Sequence, residues 1–366
     1  MEKLKIIISG GGTGGHIFPA LAIAKAIEKK VENVDFLFVG AEDRMEMDKV
    51  PAAGYKIIGL WISGLQRNLS SRNLLFPIKV ISSVLKAGKI IKQFKPDLAI
   101  GTGGYASGPL LFAAARKGVP SLIQEQNSYP GITNKILEKY VQKVCVAYDN
   151  MERFFGNKKL ILTGNPIRED ILDFDTKTEA GRKLFNIDST KPTVLVVGGS
   201  LGARTINNAI ARDIHAFAKA DVNLIWQTGI SFQNKSKIII EDVNVSGIQA
   251  YTFIKDMDLA YAAADIIVSR AGAIAISELC CVGKPIILVP SPNVSENHQY
   301  KNAQSLVNKN AALLVEDKNA NRKLVNTLME LVGDNILQGV LGSNIKKIAV
   351  KDAADKIAEI ALSLIK

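Results

Sequence analysis

Cysteine is scarce in this chain of 366 residues, with only Cys145, Cys280 and Cys281 present. An odd number, two of them adjacent and without C-x-x-C spacing, excludes a disulfide framework and a thiolate zinc site and leaves small residues for a core. Long apolar runs are missing too. The start, MEKLKIIISGGGTGGH, holds only a few apolar residues together before glycines intervene. That is too short for a signal peptide or a membrane-spanning helix, so the chain is expected to stay in the cytoplasm. There is no low-complexity tract, and 47% hydrophobic with 22% charged residues is ordinary for a globular protein. Single cores stop growing well below this length, so two domains are expected.

Short β-branched runs alternate with helical stretches at 5–9, 34–40, 97–101, 120–124 and 143–147. A second series follows TGNPIRED (163–170), with runs at 193–199, 223–227, 264–269 and 284–290. This βαβ rhythm predicts parallel sheets covered by helices on both faces, that is, an α/β chain of two doubly wound, Rossmann-like domains facing a cleft. The expected division is 1–164, 165–340, and a C-terminal helical segment 341–366 packing back on the first domain.

Each series opens on a glycine-rich turn. Ser9-Gly10-Gly11-Gly12-Thr13-Gly14-Gly15-His16 separates the first strand from the helical stretch 18–30, where glycines let the backbone approach a ligand and a helix N-terminus favours an anion. Gly10, Gly12 and Gly15 also satisfy G-x-G-x-x-G, and Glu42 or Asp43 is placed to bind a ribose, so a nicotinamide-dependent dehydrogenase is one reading. Gly101-Thr102-Gly103-Gly104-Tyr105 and Gly198-Gly199-Ser200-Leu201-Gly202 are two further turns of the same kind. A dinucleotide fold needs one phosphate loop, whereas several suit an enzyme with a pyrophosphate in each of two substrates. A sugar or lipid carrier without catalysis is a third reading.

With these turns assembled, the chain resembles the MurG family over nearly its whole length. The resemblance rests on GGGTGGHIFPALA (10–22), AEDRMEMDKVP (41–51), GTGGYASGP (101–109), QEQNSYPGITNK (124–135), TGNPIR (163–168), VVGGSLGAR (196–204), FIKDM (253–257), SRAGAIAISEL (269–279) and NHQYKNA (297–303). It implies a GT-B fold and inverting transfer of N-acetylglucosamine from UDP-N-acetylglucosamine to undecaprenyl-pyrophosphoryl-MurNAc-pentapeptide (lipid I), forming lipid II in peptidoglycan synthesis. No cofactor and no bound metal are implied, and no D-x-D pair stands out to hold one. Carried over by residue, Ser200 and Arg168 are implied to contact the donor diphosphate, Ile254 uracil through its backbone, Glu278 the ribose, and Gln299 and Asn127 the sugar. Thr13, Gly14, Gly15 and His16 form the first substrate loop, and Gly103, Gly104 and Tyr105 an acceptor loop. Where some relatives have two consecutive glutamines before the tyrosine, this chain has His298-Gln299-Tyr300. His16, one of three histidines, suits either a base that deprotonates the acceptor hydroxyl or an acceptor-diphosphate ligand.

Acidic residues are absent between Asp48 and Asp97, a stretch holding Lys56, Arg67, Arg72, Lys79, Lys86, Lys89, Lys92 and Lys95. Residues 1–164 carry 23 Lys plus Arg against 13 Asp plus Glu, whereas 165–366 are nearly balanced at 23 against 22. Pro77 suits the first turn of a helix, and Ile78, Ile81 and Leu85 recur on one face, part of it expected in the core. Residues 65–95 are expected to dock on an anionic membrane surface, with Leu74, Leu75 and Phe76 inserting shallowly. The protein is therefore expected as a peripheral protein at the cytoplasmic face of the bacterial inner membrane, with no nucleic-acid partner.

Overall fold

The computed structural model describes residues 3–365 apart from 65–74, 157–158 and Ser200. The chain divides into two compact units, Met1–Ile167 with Asp352–Lys366, and Arg168–Lys351. The division thus falls three residues beyond Gly164. The expected boundary at 341 lies inside a helix, and the chain rejoins the first unit only at Asp352.

Among the described residues the first unit has a parallel sheet of seven strands: β1 (Leu4–Gly10), β2 (Val34–Ala41), β3 (Lys56–Leu60), β4 (Leu98–Gly103), β5 (Ser121–Glu125), β6 (Lys143–Val146) and β7 (Leu160–Leu162), in the order 3-2-1-4-5-6-7. Its helices are α1 (Gly14–Glu28), α2 (Glu46–Ala52), α3 (Phe76–Phe94), α4 (Ser107–Arg116) and α5 (Ile132–Leu137). Strand alternation sorts the core into two layers. Ile6, Ile8, Phe38, Leu98 and Ile100 pack with α1 on one face, and Ile7, Val39, Ala99 and Ile123 pack with α3 and α4 on the other. Both faces are covered, which is why β1 reads Ile-Ile-Ile with no polar alternation.

The second unit repeats the plan with β8 (Thr193–Val197), β9 (Asn223–Gln227), β10 (Ile248–Tyr251), β11 (Ile266–Ser269), β12 (Ile286–Leu288) and β13 (Leu313–Leu314), ordered 10-9-8-11-12-13. Its helices are α6 (Thr178–Leu184), α7 (Arg204–Arg212), α8 (Ile214–Lys219), α9 (Gln233–Val243), α10 (Met257–Ala263), α11 (Ala273–Val282), α12 (His298–Val307), α13 (Asp317–Gly333) and α14 (Asn335–Lys347). The last helix, α15 (Ala353–Leu362), returns to the first unit, where Ile357, Ala358 and Ala361 join the α1 layer and Lys30 pairs with Glu359 at 2.8 Å. All three cysteines are free and buried.

Helix α3 differs from expectation. Pro77 sits in its first turn, but its core face is Ser83, Ala87, Ile90 and Ile91. Ile78, Ile81 and Leu85 are 55%, 62% and 70% exposed, so none of them is a core residue. Ser83, a polar residue, takes the inward position because its hydroxyl donates to the Trp61 carbonyl at 3.1 Å. Among the described residues no helix is long and apolar enough to cross a membrane.

Candidate active site

In each sheet the strand order reverses beside its first strand, between β1 and β4 and between β8 and β11, and loops at the carboxyl ends of such strands are where open α/β sheets bind ligands. The first glycine turn and the Gly103–Tyr105 loop lie together at the β1/β4 switch. Register between β1 and β4 slips there, Ser9 pairing with Gly101 and Gly10 with Gly103, which leaves Thr102 as the extra residue. Its hydroxyl donates to the His16 carbonyl at 2.8 Å, and the buried Ser107 hydroxyl is 2.8 Å from both the Ser9 and Gly103 carbonyls. Gly104 has φ +87°, and a Cβ there would run into the backbone of Gly11. Glycine is therefore required at 104 twice over, by conformation and by space. The Tyr105 ring packs on Gly12 and Gly64 and is 46% exposed.

Helix α1 starts at Gly14, earlier than the periodicity of 18–30 implied, so His16 is in its first turn. Thr13 occupies the cap position, its side chain making no capping bond to the helix backbone, and the Gly14 and Gly15 N–H groups open the helix, the arrangement that suits an anion. His16 Nδ1 lies 2.9 Å from the Gly11 carbonyl oxygen and 3.4 Å from Thr13 Oγ1. A carbonyl only accepts, so Nδ1 carries the proton, and the neutral ring keeps its lone pair on Nε2. Nε2 is the atom a base would use.

Asn127 is held by a neighbouring carboxylate. Glu125 accepts from the Asn127 backbone at 3.0 Å, its side-chain amide at 3.2 Å, the Gly131 N–H at 3.0 Å and Asn134 at 2.8 Å. Beside it the buried amide of Gln126 donates to the Thr102 carbonyl at 2.6 Å and to Gln124 Oε1, and Gln124 donates to Asn165 at 2.8 Å. This amide chain ties the end of β5 to the Thr102 bulge.

In the second unit Gly202 and Gly229 approach so closely that a Cβ on either would meet the other's loop backbone. Ser200 lies outside the described residues, as do Arg67, Arg72 and Leu74. The Ile254 N–H donates to Oε1 of the buried Gln227 at 2.9 Å, which engages the N–H side of that residue's backbone. Arg168 and Glu278 are brought together: Arg168 Nε is 3.5 Å from Glu278 Oε1 and 3.6 Å from Asp170. Glu278 stands on α11, which follows the switch strand β11, and its side chain is 13% exposed. Burial lifts its carboxyl from 4.5 to about 7, with Arg168 pulling down, Asp170 pushing up and Tyr261 pulling down. The Tyr261 hydroxyl is 3.4 Å from Glu278 Oε2, and burial, then the Glu278 charge, raises that phenol well above its ordinary range. Gln299, on the first turn of α12, accepts from the Ser291 N–H at 2.8 Å through Oε1, which leaves its NH2 as the donor end.

Several residues escaped the reading of the sequence. Arg270 bonds Asp317 at 2.5 Å and the Val289 carbonyl at 3.0 Å, and Asp317 accepts from Thr205 at 2.9 Å, joining β11, α13 and α7 at the switch. Lys284 donates to the Tyr261, Ala262 and Ala264 carbonyls, capping α10, and burial lowers its ammonium to about 8 while Asp265 and Asp175 raise it. Glu46 is fully buried against the first glycine turn. An acidic residue at the start of a short helix carries no periodic signal. Glu42, one of the two candidate ribose acids with Asp43, pairs with Lys86 at 2.9 Å. Among the described residues no group of three or more His, Cys, Asp or Glu is placed to hold a metal ion.

Comparison with known proteins fits this duplicated geometry. Residues 6–146 match the glycosyltransferase family 28 N-terminal domain and 193–357 its C-terminal domain. The chain is 54% identical over 364 residues to the UDP-N-acetylglucosamine--N-acetylmuramyl-(pentapeptide) pyrophosphoryl-undecaprenol N-acetylglucosamine transferase of Cytophaga hutchinsonii, covering 100% of this chain and 98% of that protein. A protein of the same name from Parabacteroides distasonis is 50% identical over 365 residues, covering 100% and 99%. The crystal structure of Acinetobacter baumannii MurG is similar with a TM-score of 0.78 at 26% identity, covering 99% of this chain and 100% of that one.

Proposed function

The chain belongs to the MurG family within glycosyltransferase family 28, and from that membership we propose that it transfers N-acetylglucosamine from UDP-N-acetylglucosamine to lipid I, giving lipid II. The observation that carries the chemistry is the His16 ring, whose Nδ1–H is spent on the Gly11 carbonyl and whose Nε2 is left as acceptor. In the reaction the acceptor hydroxyl gives its proton to Nε2 as its oxygen bonds the anomeric carbon, and the bond from that carbon to UDP breaks with inversion. Thr13 and the Gly14 and Gly15 amides receive the acceptor pyrophosphate, and Gly103, Gly104 and Tyr105 border it. His16 thus acts as the base, with the diphosphate left to the amides.

On the donor, the Ile254 carbonyl accepts from the uracil N3–H, Glu278 accepts from the ribose hydroxyls, and Arg168 with the turn around Ser200 takes the diphosphate. The NH2 groups of Gln299 and Asn127 serve the sugar. Fixed donors of this kind stabilise the leaving UDP as its charge develops. The exposed Ile78, Ile81 and Leu85 on α3, beside Lys86, Lys89 and Lys92, support docking on an anionic membrane at its cytoplasmic face, where a polyprenyl-linked acceptor is held. The nicotinamide reading, with Glu42 or Asp43 as its ribose acid, gives way to the family membership, and Glu42 is paired with Lys86.

The test is turnover with UDP-N-acetylglucosamine and a lipid-linked muramoyl-pentapeptide, followed by UDP release and product mass. Acceptor-dependent UDP release with the mass gain of one N-acetylhexosamine is expected. UDP release that ignores the acceptor, or an unchanged acceptor mass, overturns the reading.

A further inference from the structure

Glu46 opens α2 and is completely buried, with both carboxylate oxygens accepting from backbone: Oε2 from the Gly12 N–H at 2.9 Å and Oε1 from the Ala41 N–H at 2.9 Å. Room for it comes from two glycines. A Cβ on Gly11 would collide with Oε1, and one on Gly40 would lie 2.5 Å from Cγ. Burying a carboxylate is costly, and two charge-assisted bonds offset that cost only where the geometry is held.

One of those bonds reaches the peptide that holds His16. The Gly12 N–H and the Gly11 carbonyl belong to one planar peptide unit. Glu46 holds the N–H end at 2.9 Å, and His16 Nδ1 donates to the carbonyl end, also at 2.9 Å. A charge on the N–H side draws out the peptide dipole and makes the carbonyl oxygen more negative, because hydrogen bonds in series polarise one another at low dielectric. The Gly11 oxygen then holds the Nδ1 proton more firmly, which keeps the lone pair on Nε2 and steadies the imidazolium that forms when Nε2 takes a proton. A carboxylate set directly on a histidine does the same in hydrolytic triads. The Gly11 carbonyl is itself pinned, since Gly104 leaves no space beside it and Gly11 N–H donates to the Gly103 carbonyl at 3.3 Å.

We propose that Glu46 is a positioning residue for His16, acting through the Gly11–Gly12 peptide to fix the Nδ1–H tautomer and the orientation of the ring. The role rests on His16 being the base of the proposed transfer. Glu46 touches neither substrate nor the reacting atoms.

The experiment is nitrogen NMR of protein labelled with 15N-histidine, in wild type and Glu46→Gln, with His16→Ala to assign one signal among His16, His215 and His298. Glutamine keeps the shape but has one acceptor oxygen for two N–H groups and no charge. Wild type is expected to show the Nδ1–H tautomer at His16, and Glu46→Gln a mixture of tautomers, with kcat down by at least about tenfold and the donor KM within about twofold. A wild-type His16 protonated on Nε2 in its neutral form overturns the proposal without any variant, so a variant that fails to fold does not shelter it. An unchanged tautomer in a folded Glu46→Gln overturns it as well, even if kcat falls, because Glu46 is then only a brace. The tautomer is read without substrates, so absence of transfer by wild type would count against the transferase reading and leave this result standing.

Discussion

Replacing Glu278 by glutamine should make the second unit more stable and the enzyme a poorer binder of its donor. Burial raises the Glu278 carboxyl from 4.5 to about 7 despite Arg168 at 3.5 Å. A carboxyl that keeps its proton longer in the folded chain than in the unfolded one makes the folded state most stable below about pH 4.5. Stability is then lost as pH rises toward 7 and levels off above it. At about 1.4 kcal/mol per pH unit the gap amounts to roughly 3 kcal/mol by pH 8. Glutamine carries no such cost. For a unit of this size, at about 2–4 °C per kcal/mol, Glu278→Gln should melt roughly 6–12 °C higher than wild type at pH 8 and within a few degrees of it at pH 5. Donor binding should move the other way. With the ribose hydroxyls donating to the ionised carboxylate as proposed, wild-type affinity for UDP should rise between pH 6 and 8, and the variant should lose about 1.5–3 kcal/mol, roughly ten- to a hundredfold. Calorimetric melts at the two pH values, with titration of UDP, check both halves. A variant destabilised equally at pH 5 and pH 8 would refute the desolvation argument, and unchanged UDP affinity would refute the ribose contact.

His16→Ala should lower kcat by about a hundred- to ten-thousandfold with donor affinity nearly intact, and a variant at full turnover removes His16 from the mechanism. Gly104→Ala, at φ +87° and against the Gly11 backbone, should cost about 1–3 kcal/mol of stability in denaturant melts and should lower turnover. An alanine variant as stable and as active as wild type would contradict the packing of the two turns. Ile81→Ser with Leu85→Ser, and separately Lys86→Glu with Lys89→Glu, should weaken sedimentation with anionic vesicles, the charge pair more so at low salt than at high. Equal vesicle binding by all three proteins would exclude α3 as the docking helix.

The inner strands were legible in the sequence because each is covered on both faces and reads as an unbroken apolar run. β1 is the plainest case, with Ile6, Ile7 and Ile8 all fully buried. The strands that escaped were β3, β7, β10 and β13, which are the four edges of the two sheets. Edge strands are short and half solvated, and β7 and β13 have no buried residue at all. The glycine turns and His16 could be singled out from residue type and spacing. Tyr261, Gln227 and Glu46 could not, because each earns its place through a partner far away in sequence.

The sequence by itself determined two parallel α/β units, glycine turns at their openings and a basic first half, since these follow from periodicity, from glycine's lack of a side chain and from counting charge. Which way α3 faces was decided only in three dimensions. Ile78, Ile81 and Leu85 form as good an apolar stripe as any core face, but Ser83 reaches the Trp61 carbonyl and Ala87 lets the helix settle on α4, so the smaller residues point inward. Tertiary structure likewise decided that Glu278 lies beside Arg168 and Tyr261, and that one peptide plane joins Glu46 to His16. A pattern along a chain reports which face is apolar. What that face meets, and what environment a carboxylate enters, depends on residues that only folding brings near.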